Sequence, residues 1–497
     1  MESLQRTANR GSISTGYEIS NSLLLDNSDS SMEFNHHQMS TGGDDQWSAQ
    51  SNAGTNSKKA TISLWIKRAK LSPSSGAGQY ARLFQFQTGG NATSLYFVTD
   101  QLKMYDDVTS ASLLTTRKFR DTSAWYHIVL AMDSTQATAA NRVKLYVNGE
   151  QQTAWDTEDY GNQNSDLAMF STTNVTFYLG TASGNGQGYA FDGYITEFHF
   201  VDGAQKAASD FGEYDEDSGI WKPKEYTESY GTLGCYYNFE DTSSNRFNDE
   251  SGNGNFMNNR GGSFEGEITT DTPTNNFATI NILHAQTSDS TYTQGATYAV
   301  NGQTQGWQPY IPTIAVTSGK WYFETQGGGP DMYLQTGMGD EGDLLEWGID
   351  QKYYGRSGSK SVAYYGGTGG NGLIYPAQTN PSPAVDYGSS DIIGCAVDID
   401  NGYVYWHKNG TYINGGVPTS GSTGTGGTAI PTGGNSNGTY YLGAATYANS
   451  NMKFNYGGYT TISISSAATD ANGYGTFEYA PPSGFYALCT KNLAENG

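Results

Sequence analysis

Two Asn-Gly dipeptides, each closing an alternating apolar run, constrain this chain more than any other feature. RVKLYV ends in Asn148–Gly149 and YVYWHK ends in Asn409–Gly410. Both residues of such a pair tolerate positive φ, so Asn-Gly between alternating strands is the strongest short-range hairpin signal. Each turn follows an apolar strand, WYHIVLAMD (125–133) in one case and IIGCAVDID in the other. A Tyr-Leu-Gly comes later: Tyr178 lies 30 residues after Asn148, and Tyr441 lies 32 after Asn409. Upstream, Trp65 and Trp321 precede the turns by 83 and 88 residues. Three coincidences in register predict two copies of one architecture.

Strand-like runs of 5–9 residues separated by Gly/Asn/Ser/Thr clusters fill the chain from about residue 20, and no long 3.6-residue period appears. AQKAASDFGEY (204–214) has room for one short helix. Gly (64) and Tyr (37) supply a fifth of the 497 residues, which favours turn-rich β structure and disfavours helical bundles. The expected fold class is all-β, two tandem antiparallel β-sandwiches with an N-terminal extended arm. The expected boundaries are an arm over 1–20, a sandwich over 21–240, a linker over 241–265, a second sandwich over 266–490 and a tail over 491–497. A Gly/Ser/Thr tract at 415–439 reads as a long loop, and Trp65, Trp125, Trp321 and Trp406 read as core.

A net charge of −23 argues against nucleic-acid binding and against adhesion to an anionic membrane. No apolar stretch reaches a membrane-spanning length, and MESLQRTANR lacks the apolar core of a signal peptide, so export by the usual route is not expected. Three cysteines (Cys235, Cys395, Cys489) in apolar runs read as buried reduced thiols.

The residues also carry a family resemblance. SLWIKR (63–68), WYHIVLAMD, RVKLYVNGE, YLG (178–180) and FDGYITEFHFVD (191–202) resemble a laminin-G/pentraxin-like jelly roll. KWYFE (320–324), IGCAVDIDNGYVYWHKNG (393–410) and FNYGG (454–458) resemble a SPRY domain. Both imply concanavalin-A-like sandwiches. LQRTANRGSISTGYEI and PPSGFYALCTKNL are similar to phrases of structural proteins from marine tailed phages. That likeness implies a virion protein assembled in the host cytoplasm and exposed on the particle. Its arm would attach to other virion proteins, and it would act as a homotrimer of the tail-fibre or receptor-binding type. The alternatives it leaves open are a head decoration, head fibre or tail-collar subunit, and a glycan depolymerase.

Candidate chemistry points to binding. Segment 340–387 places Trp347, Tyr353, Tyr354, Arg356, Tyr364, Tyr365 and Tyr375 among Gly, Ser and Asn, and Trp307–Tyr310 adds a second aromatic loop. Tyrosine brings large contact area at low entropic cost. The expected ligand is a host surface glycan or a partner, recognised through these residues with Trp307 and Tyr310. YYG and AYYGG each turn one Tyr inward and one outward on a strand. No catalytic residue is expected. Glu213, Asp215 and Asp217 alternate but sit in GEYDEDSG, an exposed turn, and a retaining glycosidase needs a carboxyl pair with one pKa raised by burial. Adjacent His36–His37 point to opposite faces of a strand, so with Asp44–Asp45 they read as a polar loop and not a metal site. GGTGGNG (366–372) lacks the Lys and helix of a phosphate cradle. No cofactor is expected; calcium held by Asp26, Asn27, Asp29 or Asp192 is the one metal the resemblance brings up.

Overall fold

A computed structural model describes residues 16–26, 37–39, 54–71, 80–88, 90–170, 175–180, 190–240, 246–259, 268–284, 290–329, 332–340, 353–367, 372–381, 385–432 and 437–497. The chain divides into two compact units, 14–274 and 275–497. Among the described residues each is built on a pair of packed, almost wholly antiparallel sheets, to which the first unit adds the two-stranded ribbon Gly212–Tyr214/Trp221–Pro223, and no helix is long and apolar enough to cross a membrane.

In the first unit the strand Lys59–Arg68 shows why these residues fold as they do. Ala60, Ile62, Leu64 and Ile66 enter the core, while Thr61, Ser63, Trp65 and Lys67 take the other face. It lies between Trp125–Asp133 and Gly193–Asp202, and Val143–Val147 follows on the far side of Trp125–Asp133. That last strand ends in Asn148 (φ 49°) and Gly149 (φ 81°) before returning as Glu150–Gln151. A Cβ at Gly149 would lie 2.5 Å from the Trp221 ring, so glycine is required by contact as well as by φ. The opposing sheet runs Trp155–Asp159, Ala111–Lys118, Gln101–Asp106, Asn91–Val98, Tyr80–Thr88, Thr176–Leu179, His37–Met39, Met257–Asn259, Arg246–Phe247. Its Phe84, Phe86, Phe97 and Phe177 meet Phe198 and Phe200 of the first sheet in one core.

The second unit repeats this order. Lys320–Gly328 lies between Asn451–Asn455 and Ile393–Asp398, and Tyr403–Lys408 follows the latter. Asn409 (φ 48°) and Gly410 (φ 83°) then turn the chain into Thr411–Tyr412. The five-stranded partner sheet runs Trp307–Tyr310, Tyr440–Tyr447, Tyr333–Asp340, Ser361–Gly366, Leu373–Tyr375. Trp65 and Trp321 therefore occupy corresponding strands, the two turns close corresponding hairpins, and Tyr178 and Tyr441 lie on corresponding strands of the opposing sheets.

The expected boundaries need correction. Phe247 and Met257, inside the 241–265 segment read as a linker, are fully buried in the first core, and Ile268–Thr269 pairs with Ser22–Leu25. Tyr17 and Ile19 of the expected arm are bonded into the same unit; residues 1–15 lie outside the described residues. The expected C-terminal tail is largely a helix, Thr490–Asn496, with Leu493 buried. Short 3₁₀ turns at Ala208–Asp210 and Pro418–Thr423 occupy the expected short helix and the Gly/Ser/Thr tract. Trp321 and Trp406 are core, but Trp65 and Trp125 lie on the outer face of their sheet.

That outer face is covered. Phe211, Tyr226 and Tyr230 pack on Val129 and Val201, while Trp221 donates Nε1–H to His127 Nδ1 at 3.0 Å. The proton of His127 is thereby placed on Nε2, which faces Ser63 Oγ at 2.8 Å. In the second unit Phe277, Phe477 and Phe485 cover the corresponding face. There the Gly410 N–H reaches His407 Nδ1 at 3.1 Å, and Nε2 meets Tyr322 Oη at 2.7 Å. The Tyr322 hydroxyl in turn donates to Glu324 at 3.0 Å. Burial lowers both histidines from 6.5 to about 3, so both stay neutral.

Below about pH 6.5 the unfolded chain takes up protons at these positions and the folded chain does not. The stability present above that pH is lost as pH falls toward 3, by about 1.4 kcal/mol per pH unit for each histidine. The desolvated Glu324 carboxyl has a raised pKa and works in the opposite sense. The urea midpoint of the second unit is expected to drop between pH 6.5 and 4 and to drop less in His407→Gln. An identical slope in the variant would contradict the assignment.

Candidate functional site

With the outer faces of the two sheets that carry the Asn-Gly hairpins covered, the outer face of the five-stranded sheet is where aromatic side chains gather. Antiparallel pairing fixes which residues share it. Trp307 pairs with Tyr447, Tyr447 with Tyr333, Ala445 with Gln335, Gln335 with Tyr365, and Ala363 with Tyr375. All of these lie on one face. The Trp307 indole is the hub, with ring centroids 5.4 Å from Tyr353, 5.7 Å from Tyr365 and 5.6 Å from Tyr447. Tyr333 extends the array from Tyr447 at 5.5 Å, and Tyr375 extends it from Tyr365 at 5.3 Å. Trp307, Tyr333, Tyr353, Tyr375 and Tyr447 are half-buried, so each keeps a wet edge. Burial, with Tyr375 and Tyr333 alongside, pushes the Tyr365 phenol well above its ordinary pKa, and it stays neutral.

One polar group in this face lacks a partner. Gln335 is 1% exposed and its Oε1 forms no hydrogen bond among the described residues. A buried acceptor left unpaired costs about 1–3 kcal/mol. Here it lies in register with Tyr365, among rings that present flat apolar surface. Apolar faces around a few placed polar groups are the usual make-up of a small-ligand site.

The predicted residues separate cleanly. Trp307, Tyr353, Tyr365 and Tyr375 belong to this array. Tyr310, Tyr354 and Tyr364 do not contribute exposed rings, which corrects the expectation that they contact a ligand. Tyr310 (1% exposed) and Tyr364 (0%) point into the core from the same strands, as the period of two requires. Tyr354 folds over the centre of the face and donates to the Tyr310 carbonyl at 3.0 Å. Gly443 makes room for it: a Cβ there would lie 2.4 Å from the Tyr354 hydroxyl. Arg356 is half-buried, its carbonyl bonded by Ser359 in the next turn. Trp347 lies outside the described residues. Reading the sequence missed Tyr333, Tyr447 and Gln335; the alternation in MYLQTGM marks the first and third as sharing a face, but not what lies across from them.

Catalytic chemistry finds no support in the carboxylates considered. Glu213 and Asp217 are exposed, and Asp215 bonds to Ser218 and Lys222. Those bonds lower its pKa to about 2, opposite to what a general acid needs. Ser63 with His127 is not a nucleophile pair, because His127 Nε2 already carries the proton that a base would have to accept. Among the described residues no cluster of three His, Cys, Asp or Glu could hold a metal. Asp26 and Asp192 are described; Asn27, Asp29, His36, Asp44, Asp45 and the His37 side chain lie outside the description. All three cysteines are free and buried, and burial pushes the Cys489 thiol up to about 12.

Gln335→Leu keeps the approximate size and removes the orphaned acceptor. The ligand-free variant is expected to be as stable as the parent chain or up to about 2 kcal/mol more stable. A loss above about 2 kcal/mol on urea unfolding would mean that Oε1 has a structural partner.

Residues 41–209 match a family described as the concanavalin A-like lectin/glucanases superfamily. Among solved structures, a candidate carbohydrate-binding protein from Bacteroides ovatus is similar at 16% identity, over 48% of this chain and 58% of its own, with a TM-score of 0.30. This chain thus spans less than two thirds of that protein. A native heptameric SAP-like pentraxin from Limulus polyphemus is similar at 13% identity, over 38% of this chain and 80% of its own, with a TM-score of 0.27. The SPRY domain of human HERC1 is similar at 13% identity, over 35% of this chain and 96% of its own, with a TM-score of 0.25. No curated protein matches the chain significantly. The residues matched by the concanavalin A-like lectin/glucanases model lie within the first unit.

Proposed function

We propose that this chain binds glycans without cleaving them, as a receptor-binding component of a tailed-phage particle. The observation that carries the binding half is the Trp307-centred array of rings around the unpartnered Gln335 Oε1. A pyranose offers a C–H face to an aromatic ring and hydroxyl donors to an acceptor, and both complements are present. The match of the first unit to the concanavalin A-like lectin/glucanases model is compatible with this reading. The virion half rests on the phage-like phrases at the two ends of the sequence. In that setting the protein sits on the particle surface, held to other virion proteins through its N-terminal residues. Single sites of this kind are weak, so a trimer raises avidity without any new contact.

On an array of bacterial surface polysaccharides, Trp307→Ala is expected to lose at least about tenfold in affinity, or about 1.4 kcal/mol, in a chain that still folds but unfolds at a lower temperature because three rings lose their packing partner. Gln335→Leu is expected to weaken the same ligand while leaving the fold intact. Unaltered binding in both variants would overturn the site, and reducing-sugar release from the bound polysaccharide would overturn the non-cleaving reading. Antibodies raised against residues 275–497 are expected to block adsorption of the particle; intact adsorption with antibody bound would point instead to a structural subunit of the virion.

A further inference from the structure

The first unit carries its own polar, aromatic outer face, on the strands that correspond to those of the Trp307 array. Pairing across Tyr80–Thr88, Asn91–Val98 and Gln101–Asp106 sets two transverse rows. Arg82 lies opposite Tyr96, and Tyr96 lies opposite Lys103. Gln85 lies opposite Ser94, Ser94 opposite Tyr105, and Tyr105 opposite Ser112. The register shift between Arg82 and Phe84 puts Arg82 and Gln85 on one face although they are three residues apart. The Arg82 guanidinium lies over the Tyr96 ring at 4.5 Å and within 5.8 Å of the Tyr105 ring.

Beside these rows is a shallow hollow of ≈ 530 Å³ lined by Tyr96, Lys103, Tyr105, Asp107, Ser110 and Ser112. Two buried groups on the same face have no hydrogen-bond partner among the described residues: Ser94 Oγ (0% exposed) and Gln85 Oε1 (5%). Lys103 is half-buried and forms no ion pair with a described residue. Asp106, at the floor, is already saturated. Its oxygens accept from Thr93 and Thr109 hydroxyls and from the Thr109 and Ala168 amides. Burial raises its pKa, against these four bonds, which favour the carboxylate and lower it. Asp107 is exposed and accepts the Ala92 N–H at 2.8 Å. Asp159, exposed and opposite Ser112, ends the second row, so the two cations share the face with two solvated carboxylates, of which Asp107 alone lines the hollow. This is in a chain whose net charge is −23.

We infer that this face is a second binding site, independent of the Trp307 array, and that its ligand is an acidic saccharide bearing one carboxylate per ring. Tyr105 supplies the platform for the ring. Lys103 pairs with the carboxylate, and Arg82 adds positive potential while holding Tyr96 and Tyr105 in place. Asp107, Ser110 and Ser112 take the hydroxyls. A neutral sugar leaves Lys103 desolvated without a partner, and a carboxylate removes that penalty.

The test uses the full chain and titration calorimetry with a galacturonate hexamer, its fully methyl-esterified neutral counterpart, and sulfated dextran. The free-acid hexamer is expected to bind at least about tenfold tighter than the ester. That preference is expected to disappear in Lys103→Gln, to persist in Lys103→Arg, and to shrink strongly at about 1 M salt. Tyr105→Ala is expected to weaken both hexamers alike. Equal affinity for acid and ester, a preference retained in Lys103→Gln, or sulfated dextran binding as tightly as the uronate would each overturn the assignment. Should Lys103→Gln fail to fold, the salt dependence and the acid-to-ester ratio of the parent chain decide the matter. Lys103 and Trp307 belong to different units, so failure here leaves the Trp307 array standing, and the reverse.

Discussion

The constraint on which everything else depends is that a β-sheet has two faces and a sandwich core uses one face of each sheet. Period-two alternation then decides, residue by residue, what remains outside. In both units the sheet carrying the Asn-Gly hairpin has its outer face roofed by the chain itself, through Phe211, Tyr226 and Tyr230 in one case and Phe277, Phe477 and Phe485 in the other. The opposing sheets keep aromatic and polar residues on their outer faces, and the two candidate sites lie there. Position of the sites is therefore a consequence of which sheet is covered.

Polar groups trapped under the covers are paired with care. His127 and His407 each accept one hydrogen bond at Nδ1, which fixes the tautomer. Lys67 and Asp271 form a 2.8 Å ion pair with both side chains about 1% exposed, and Trp125 Nε1 bonds the same carboxylate. The next residue, Arg68, points the other way and pairs with Asp100 at 2.9 Å. Breaking a buried pair of this sort commonly costs about 3–5 kcal/mol, because it leaves a lone buried charge. Pairing under the covers is not complete, since Tyr412 Oη has no hydrogen-bond partner among the described residues, but the unpartnered atoms of Gln335, Gln85 and Ser94 lie on the uncovered faces.

Much of the fold was legible. Alternation and the Asn-Gly turns located corresponding strands in both halves, because both signals are local and period two has no helical counterpart. The boundary between the units was less legible: SSNRFNDESGNGNFMNN has the composition of a linker, yet Phe247 and Met257 fill the first core. Two isolated apolar residues in a polar run carry no periodicity to read. The site was half legible. Tyrosine density marked Trp307, Tyr353, Tyr365 and Tyr375, and it equally marked Tyr310, Tyr354 and Tyr364, which are buried. Composition counts rings but does not say which face they occupy.

From the amino-acid order alone came the β class, the duplication, the reduced cysteines and the aromatic richness of the second half, since each depends on residues close together in the chain or on simple counts. Tertiary structure decided the rest. Trp65 and Trp321 sit on corresponding strands yet face opposite sides, and Gln335 meets Tyr365 and Ala445 only through pairing across 30 and 110 residues of chain. Register between distant strands is set by the whole core settling at once, and no local pattern encodes it.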